Sequence, residues 1–220
     1  MAKDFEGLYN EKDQAYFSNI RFDMISLIEG EGLKVLEIGC GNGATLLELK
    51  RTGKASEIFG IEINEGSIKD LKGKLNGLHV GNIEEIDLDY PEGYFDIIIM
   101  GDVLEHLLDP WSVLKKIKKY INQKGRIVAS VPNIREFGVM KSVFFKGDFK
   151  YSDSGILDKT HLRFFCKENI IEMFERDYKV IEIKGNPNYR KQMYYYLNRL
   201  TFGILSDFFN VQYLVVAAKK

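Results

Sequence analysis

In Val35-Leu36-Glu37-Ile38-Gly39-Cys40-Gly41-Asn42-Gly43, an apolar run that begins at Leu33 gives way at Ile38 to three alternate glycines. Helical spacing follows from Ala44 to Lys50, so the segment reads as strand, tight loop, helix. Gly39, Gly41 and Gly43 lack the Cβ atoms that would keep a small molecule off the backbone, and they permit the dihedrals of a sharp strand-to-helix turn. The expected ligand is nucleotide-like and sits at the carboxyl end of the first strand. A glycine loop can also be no more than a turn, so the flanking segments have to supply the context.

Upstream, residues 13 to 29 place Phe17, Ile20, Met24, Leu27 and Ile28 at helical intervals, which predicts an amphipathic helix across the mouth of a sheet. Downstream, strands are expected at Ile58 to Ile63, Leu78 to Val80 and Tyr94 to Met100, with a helix from Ser67 to Leu75. The fourth strand is apolar on both faces, as a buried parallel strand must be. Asp109 and Pro110 suit an N-cap and first helical position, opening a helix that runs to Tyr120. Its lysines at 115, 116, 118 and 119 read as a solvated face. A fifth strand, Gly125 to Val131, stops at Pro132. Asn133 to Lys159 shows no period and is long for a connection, which marks it as functional or mobile. Lys167 to Phe174 reads as a helix, Tyr178 to Lys184 as the sixth strand and Tyr213 to Ala218 as the seventh. Alternation of this kind predicts a doubly wound α/β sheet, with ligands beyond the carboxyl ends of its strands.

The chain has 220 residues, 45% of them hydrophobic, which fits one domain, 1–220, with a full-sized core. With 31 Lys and Arg against 32 Asp and Glu, the net charge of -1 does not favour nucleic acid as a general partner. No run approaches the roughly 20 apolar residues of a membrane span, and no leader is evident, so a soluble cytoplasmic protein is expected. The two cysteines, Cys40 and Cys166, lack metal-type spacing, and no metal site is expected. Cys40 is read as a small side chain packed beside the turn.

Glu62 ends the second strand about twenty residues beyond the loop, where a carboxylate can accept hydrogen bonds from two ribose hydroxyls; Ile63 beside it can cover an adenine face. The loop spacing departs from the G-x-G-x-x-G of dinucleotide folds, and no phosphate loop occurs elsewhere. A phosphate-free nucleoside is the better candidate. Here the sequence resembles the class I S-adenosylmethionine-dependent methyltransferases, in motif order from about residue 30 to 185. Gly81-Asn82-Ile83 stands where that family contacts adenine, with Asn82 in place of the common aspartate. Phe95 to His106 resembles the fourth-strand motif beside the methionine portion and the reaction centre.

The resemblance implies a Rossmann-like sheet of seven mostly parallel strands with an antiparallel final strand. It also implies S-adenosylmethionine as cofactor, S-adenosylhomocysteine as product, and a cofactor site drawn from Glu37, Gly39, Cys40, Gly41, Gly43, Glu62, Ile63, Asn82, Ile83, Gly101 and Asp102. His106 and His161 are the candidate bases for a hydroxyl acceptor, since neutral imidazole can take its proton. His161 lies in Leu157 to Phe165, which resembles an acceptor-side segment of one broad subgroup, so residues 133–165 are expected to cover a small-molecule or saccharide acceptor. The absence of a [DNS]-P-P-[YFW] motif lowers a nucleic-acid base as substrate. The aromatic insert, about 189–209, is expected in the core or in a homodimer face, with peripheral membrane contact as the other reading. Two competing functions stay open: an NAD-dependent oxidoreductase, and a protein that binds the cofactor without transferring a methyl group.

Overall fold

The computed structural model describes residues 19–187 and 192–220. Strands β1 (Leu33–Ile38), β2 (Ala55–Glu62), β3 (Gly77–Val80), β4 (Phe95–Gly101), β5 (Ile121–Pro132), β6 (Tyr178–Pro187) and β7 (Asn210–Lys219) form one sheet. Their order is β3-β2-β1-β4-β5-β7-β6. The first five are parallel, and β7 runs antiparallel to both β5 and β6. This is the doubly wound, Rossmann-like sheet with an antiparallel final strand. Ile38 stands level with Ile61 and Met100, so the carboxyl ends of β1, β2 and β4 open at one rim.

Burial on both faces explains the apolar strands. Leu36, Ile98, Met100, Ile127 and Ala129 enter one core cluster. Their neighbours Val35, Ile97, Ile99 and Val128 enter the other, because successive side chains leave a strand on opposite faces. The helices are α1 (Phe22–Ile25), α2 (Ala44–Arg51), α3 (Pro110–Ile117), α4 (Phe137–Lys141), α5 (Lys167–Glu175), α6 (Gln192–Leu200) and α7 (Ser206–Phe209). Asp109 caps α3 as its sequence predicts, accepting the Ser112 N–H at 3.0 Å and the Ser112 hydroxyl at 2.7 Å.

Several boundaries differ from expectation. Of the helix expected at 13–29, residues 13–18 lie outside the described residues, and only α1 is helical in the rest. Leu27 and Ile28 bond three residues back, and the chain leaves through Gly30 at φ +99°. The helix expected from Ser67 to Leu75 is a single 3-10 turn, Lys69–Leu71, because Lys72 is extended and Gly73 is left-handed at φ +78°. A 3-10 turn, Lys118–Tyr120, replaces the last turn of α3, and β5 starts four residues early at Ile121. The lysine run is not all solvated: Lys116 Nζ donates to the Ile83 carbonyl at 2.9 Å and to the Ile86 carbonyl, tying α3 to the loop after β3. In the aromatic insert, Phe209 is buried, but Leu200, Phe202 and Ile204 are exposed, so core packing accounts for only its end. Residues 189–191 of that insert lie outside the described residues.

Candidate functional site

At the rim where β1, β2 and β4 end, a cavity of about 510 Å³ opens between the glycine loop, the loop after β3 and the exit of β4. Glu37, Gly39, Cys40, Gly41, Glu62, Ile63, Asn82, Ile83, Gly101, Asp102 and His106 all line it. Gly43 and His161 do not. Gly43 is the left-handed N-cap of α2 (φ +71°), and a Cβ there would meet Leu71 at 2.7 Å, so it serves the turn and its packing. His161 stands behind His106.

The loop is built from the backbone up. The Gly39 and Cys40 N–H groups both donate to the Ile61 carbonyl, at 2.8 and 3.1 Å, and Gly39 is left-handed at φ +73°. Gly41 N–H donates to Glu62 Oε2 at 2.8 Å, and Asn64 N–H donates to Oε1 at 2.9 Å. Glu62 is therefore locked between two loops. Burial raises its carboxyl above the usual range, partly countered by those amide donors. Cys40 is buried, and its thiol is pushed far up by burial and by Glu37 and Glu62, so it is a packed side chain rather than a nucleophile. The Asn82 amide oxygen accepts the Glu84 N–H at 3.0 Å, which fixes the loop after β3.

Glu37 is the anomaly. It is 5% exposed, and its Oε2 has no hydrogen-bond partner among the described residues. Burial pushes its carboxyl up to about 8, while Arg21 pulls it down and Glu62 adds to the rise. A buried acceptor left unmatched costs free energy unless something arrives to match it.

Arg21, which sequence reasoning missed, lies just before α1 and lines the same cavity. It donates to Asp102 Oδ2 at 2.7 Å and chelates Asp23 through Nε and Nη2, each at 3.1 Å. Burial would lower its basicity, but the two carboxylates more than reverse that. Asp102 is held at φ +53°, a left-handed conformation rare for a residue with a Cβ. Ser130 receives its N–H at 2.9 Å and donates a hydroxyl to its Oδ1 at 2.8 Å.

On the far wall, His106 Nδ1 lies 3.1 Å from the Thr160 carbonyl and His161 Nδ1 lies 2.9 Å from the Ile156 carbonyl. A carbonyl only accepts, so both rings carry hydrogen on Nδ1, and Nε2 is the basic nitrogen of each neutral ring. The rings meet edge to face at 4.7 Å between centroids. Burial first, then His161, pull the imidazolium of His106 down to about 4 despite the Thr160 carbonyl. Glu105, 1% exposed, has two carboxylate oxygens without hydrogen-bond partners among the described residues, one of them 3.9 Å from His161 Nε2. One ligand atom each from Glu105, His106 and His161 could gather around a metal ion, but these atoms spread over up to 4.8 Å. Tetrahedral zinc with bonds near 2.1 Å sets its ligands about 3.4 Å apart. Burial raises the Glu105 carboxyl well above the usual range.

Comparison with known proteins gives this geometry a family. The family model described as "Methyltransferase domain" matches residues 29–180. The ubiquinone biosynthesis O-methyltransferase of Bradyrhizobium diazoefficiens is 32% identical over 108 residues, 46% of this chain and 41% of that protein. The demethylmenaquinone methyltransferase of Lactococcus lactis is 27% identical over 119 residues, 51% of this chain and 47% of that protein. The chain thus spans less than half the length of the curated relatives it matches. The crystal structure of an S-adenosylmethionine-dependent methyltransferase from Archaeoglobus fulgidus shares the fold, with a TM-score of 0.64 at 20% identity and coverage of 98% of each chain. No helix among the described residues is long and apolar enough to cross a membrane. With more than half of its length inside the family match, around a cavity lined by the motif residues, the chain belongs to the methyltransferase domain family.

Proposed function

We propose that the protein transfers a methyl group from S-adenosylmethionine to a hydroxyl oxygen of a small-molecule or saccharide acceptor. The observation that carries the reading is the orphaned buried oxygen of Glu37 beside a glycine loop, in a cavity that also holds a pre-oriented Glu62. The cofactor has a cationic amino group for the first carboxylate and two ribose hydroxyls for the second. Ile63 and Ile83 supply apolar surface for its base. When bound, S-adenosylmethionine supplies a methyl group activated by its sulfonium.

The chain's own tasks are then alignment, exclusion of water and removal of a proton. His106 is the residue we assign to the proton, at Nε2, because it lines the cavity with Nδ1 already committed to Thr160. With its imidazolium held down at about 4, it is neutral, and so able to accept, throughout the physiological range. His161, behind it, is assigned to the same acceptor side. An oxygen acceptor is supported by the relative whose name specifies O-methyl transfer. Residues 133–165 are read as the acceptor-side cover of a single domain.

Calorimetric titration with S-adenosylhomocysteine and with NAD tests the donor half. Binding of the first and none of the second is expected, and the reverse would return the oxidoreductase reading. Transfer of labelled methyl to phenols and to sugar hydroxyls tests the other half. Cofactor binding without transfer to any acceptor in the panel would favour the non-catalytic reading.

A further inference from the structure

The acceptor-side segment carries, in its middle, a feature that the transfer reaction does not use. After α4, residues Ser142–Lys146 form one π-helical turn closed by Gly147 in the left-handed conformation, φ +63°. That turn points its apolar residues outward: Phe144 is 78% exposed and Phe145 is 76% exposed, their rings edge to face at 5.0 Å. Val143, Phe149 and Tyr151 add further exposed apolar surface.

Lys141, Lys146 and Lys150 flank the two rings, all exposed, against one acid, Asp148, between residues 141 and 151. In a chain of net charge -1, this is a local basic and aromatic projection. Its base is fixed. Glu136 caps α4 by accepting the Gly138 and Val139 N–H groups, and Ile134 N–H donates to the Phe165 carbonyl at 3.0 Å. Phe149 packs on Phe164 at 5.5 Å, Phe164 lies 6.4 Å from His161, and His161 touches His106 at the cavity wall.

We propose that this turn docks the protein on an anionic lipid bilayer, with Phe144 and Phe145 seated among the headgroups and the three lysines against lipid phosphates. The charge selects this occupant, since lysines around a small apolar wedge match a negative surface. Shape agrees. The projection is one turn of chain, whereas a stable protein partner needs roughly 800 Å² on each side. Docked this way, the segment connects the membrane surface to the acceptor wall through Phe149, Phe164 and His161.

The test is co-sedimentation of the full chain with vesicles of phosphatidylcholine, with and without phosphatidylglycerol, at low and high salt. Binding is expected only with phosphatidylglycerol, and should weaken as salt screens the lysines. The F144S/F145S and K141E/K146E variants should each lower partitioning roughly tenfold or more. Both should bind S-adenosylhomocysteine as the wild type does, because none of these residues lines the cofactor cavity. Equal binding to neutral vesicles, or undiminished binding by F144S/F145S, would overturn the proposal. So would a wild-type dimer that F144S/F145S converts to monomer without any vesicle binding, because the surface would then belong to a second copy.

Discussion

Glu37 makes cofactor affinity depend on pH in a way that can be worked out in advance. Its carboxyl is pushed up to about 8, chiefly by burial. A cationic amino group at Oε2 needs the carboxylate, so binding must first ionise the side chain. That step reduces affinity by a factor of one plus ten to the power of the difference between 8 and the pH, about 100-fold at pH 6 and about twofold at pH 8. Affinity for S-adenosylhomocysteine should therefore rise roughly 50-fold between about pH 6 and pH 8 and then level off. Calorimetry in two buffers of different ionisation heat should show close to one proton released per site near pH 6.5, on the order expected for a single group. Glu37→Gln should bind with a flat profile, while Glu62→Gln, weaker throughout, should keep the slope. Without ligand the sign reverses. The folded state keeps a proton that the unfolded chain has lost, so stability should fall as pH rises from the ordinary carboxylate range toward 8, by on the order of 5 kcal/mol. A flat wild-type affinity, proton uptake on binding, or a slope retained by Glu37→Gln would refute the assignment of the amino group to this carboxylate.

Arg21→Met removes the charge that holds the Glu37 carboxyl down, so the midpoint of that binding profile should move to higher pH; an unmoved midpoint would show the two groups uncoupled. His106→Ala should lower turnover on the true acceptor by roughly 10²- to 10⁴-fold with little change in S-adenosylhomocysteine affinity, and unchanged turnover would remove it from the mechanism. His106 is held neutral with its imidazolium down at about 4. The wild type should lose up to about 3 kcal/mol, relative to His106→Asn, as pH falls from the ordinary histidine range through 4, because only the unfolded chain takes the proton; parallel urea midpoints for the two proteins over that range would contradict this. Gly39→Ala would set a Cβ 2.7 Å from Val103 at φ +73°. It should cost about 1–3 kcal/mol by urea unfolding, and a loss below about 0.5 kcal/mol would show that the loop relaxes without strain.

What could be read from the chain was what short segments encode by themselves. The continuous apolar run Ile97 to Met100 admits little besides a doubly covered strand, and Asp109-Pro110 caps a helix with atoms three residues away. The alternate glycines and Glu62 lie only 21 residues apart, close enough for one strand-helix-strand unit to bring them together. The helix expected after β2 failed because its periodicity ignored the stop signal of Gly73. Arg21 was out of reach for a different reason. Its partner Asp102 is 81 positions away, and its charge looks the same in sequence as that of any solvated arginine. The contact between Glu105 and His161 crosses from the exit of β4 to the acceptor segment in the same way. Lys116, counted with a solvated run, is claimed by carbonyls that only the fold places above it.

The position of β7 has a consequence for how the chain is born. β6 pairs with β7 and, among the described residues, with no other strand, while β7 is synthesised after every strand it touches. On the ribosome, β1 to β5 can zip together as they emerge, but β6 must wait with its nine-pair ladder to β7 unmade. Closure of the sheet is therefore a late, long-range event in which one arriving strand inserts between two waiting edges. A nascent chain stalled before residue 210 would present both edges to chaperones or to its neighbours on the polysome, which makes the arrival of β7 the step that closes the sheet.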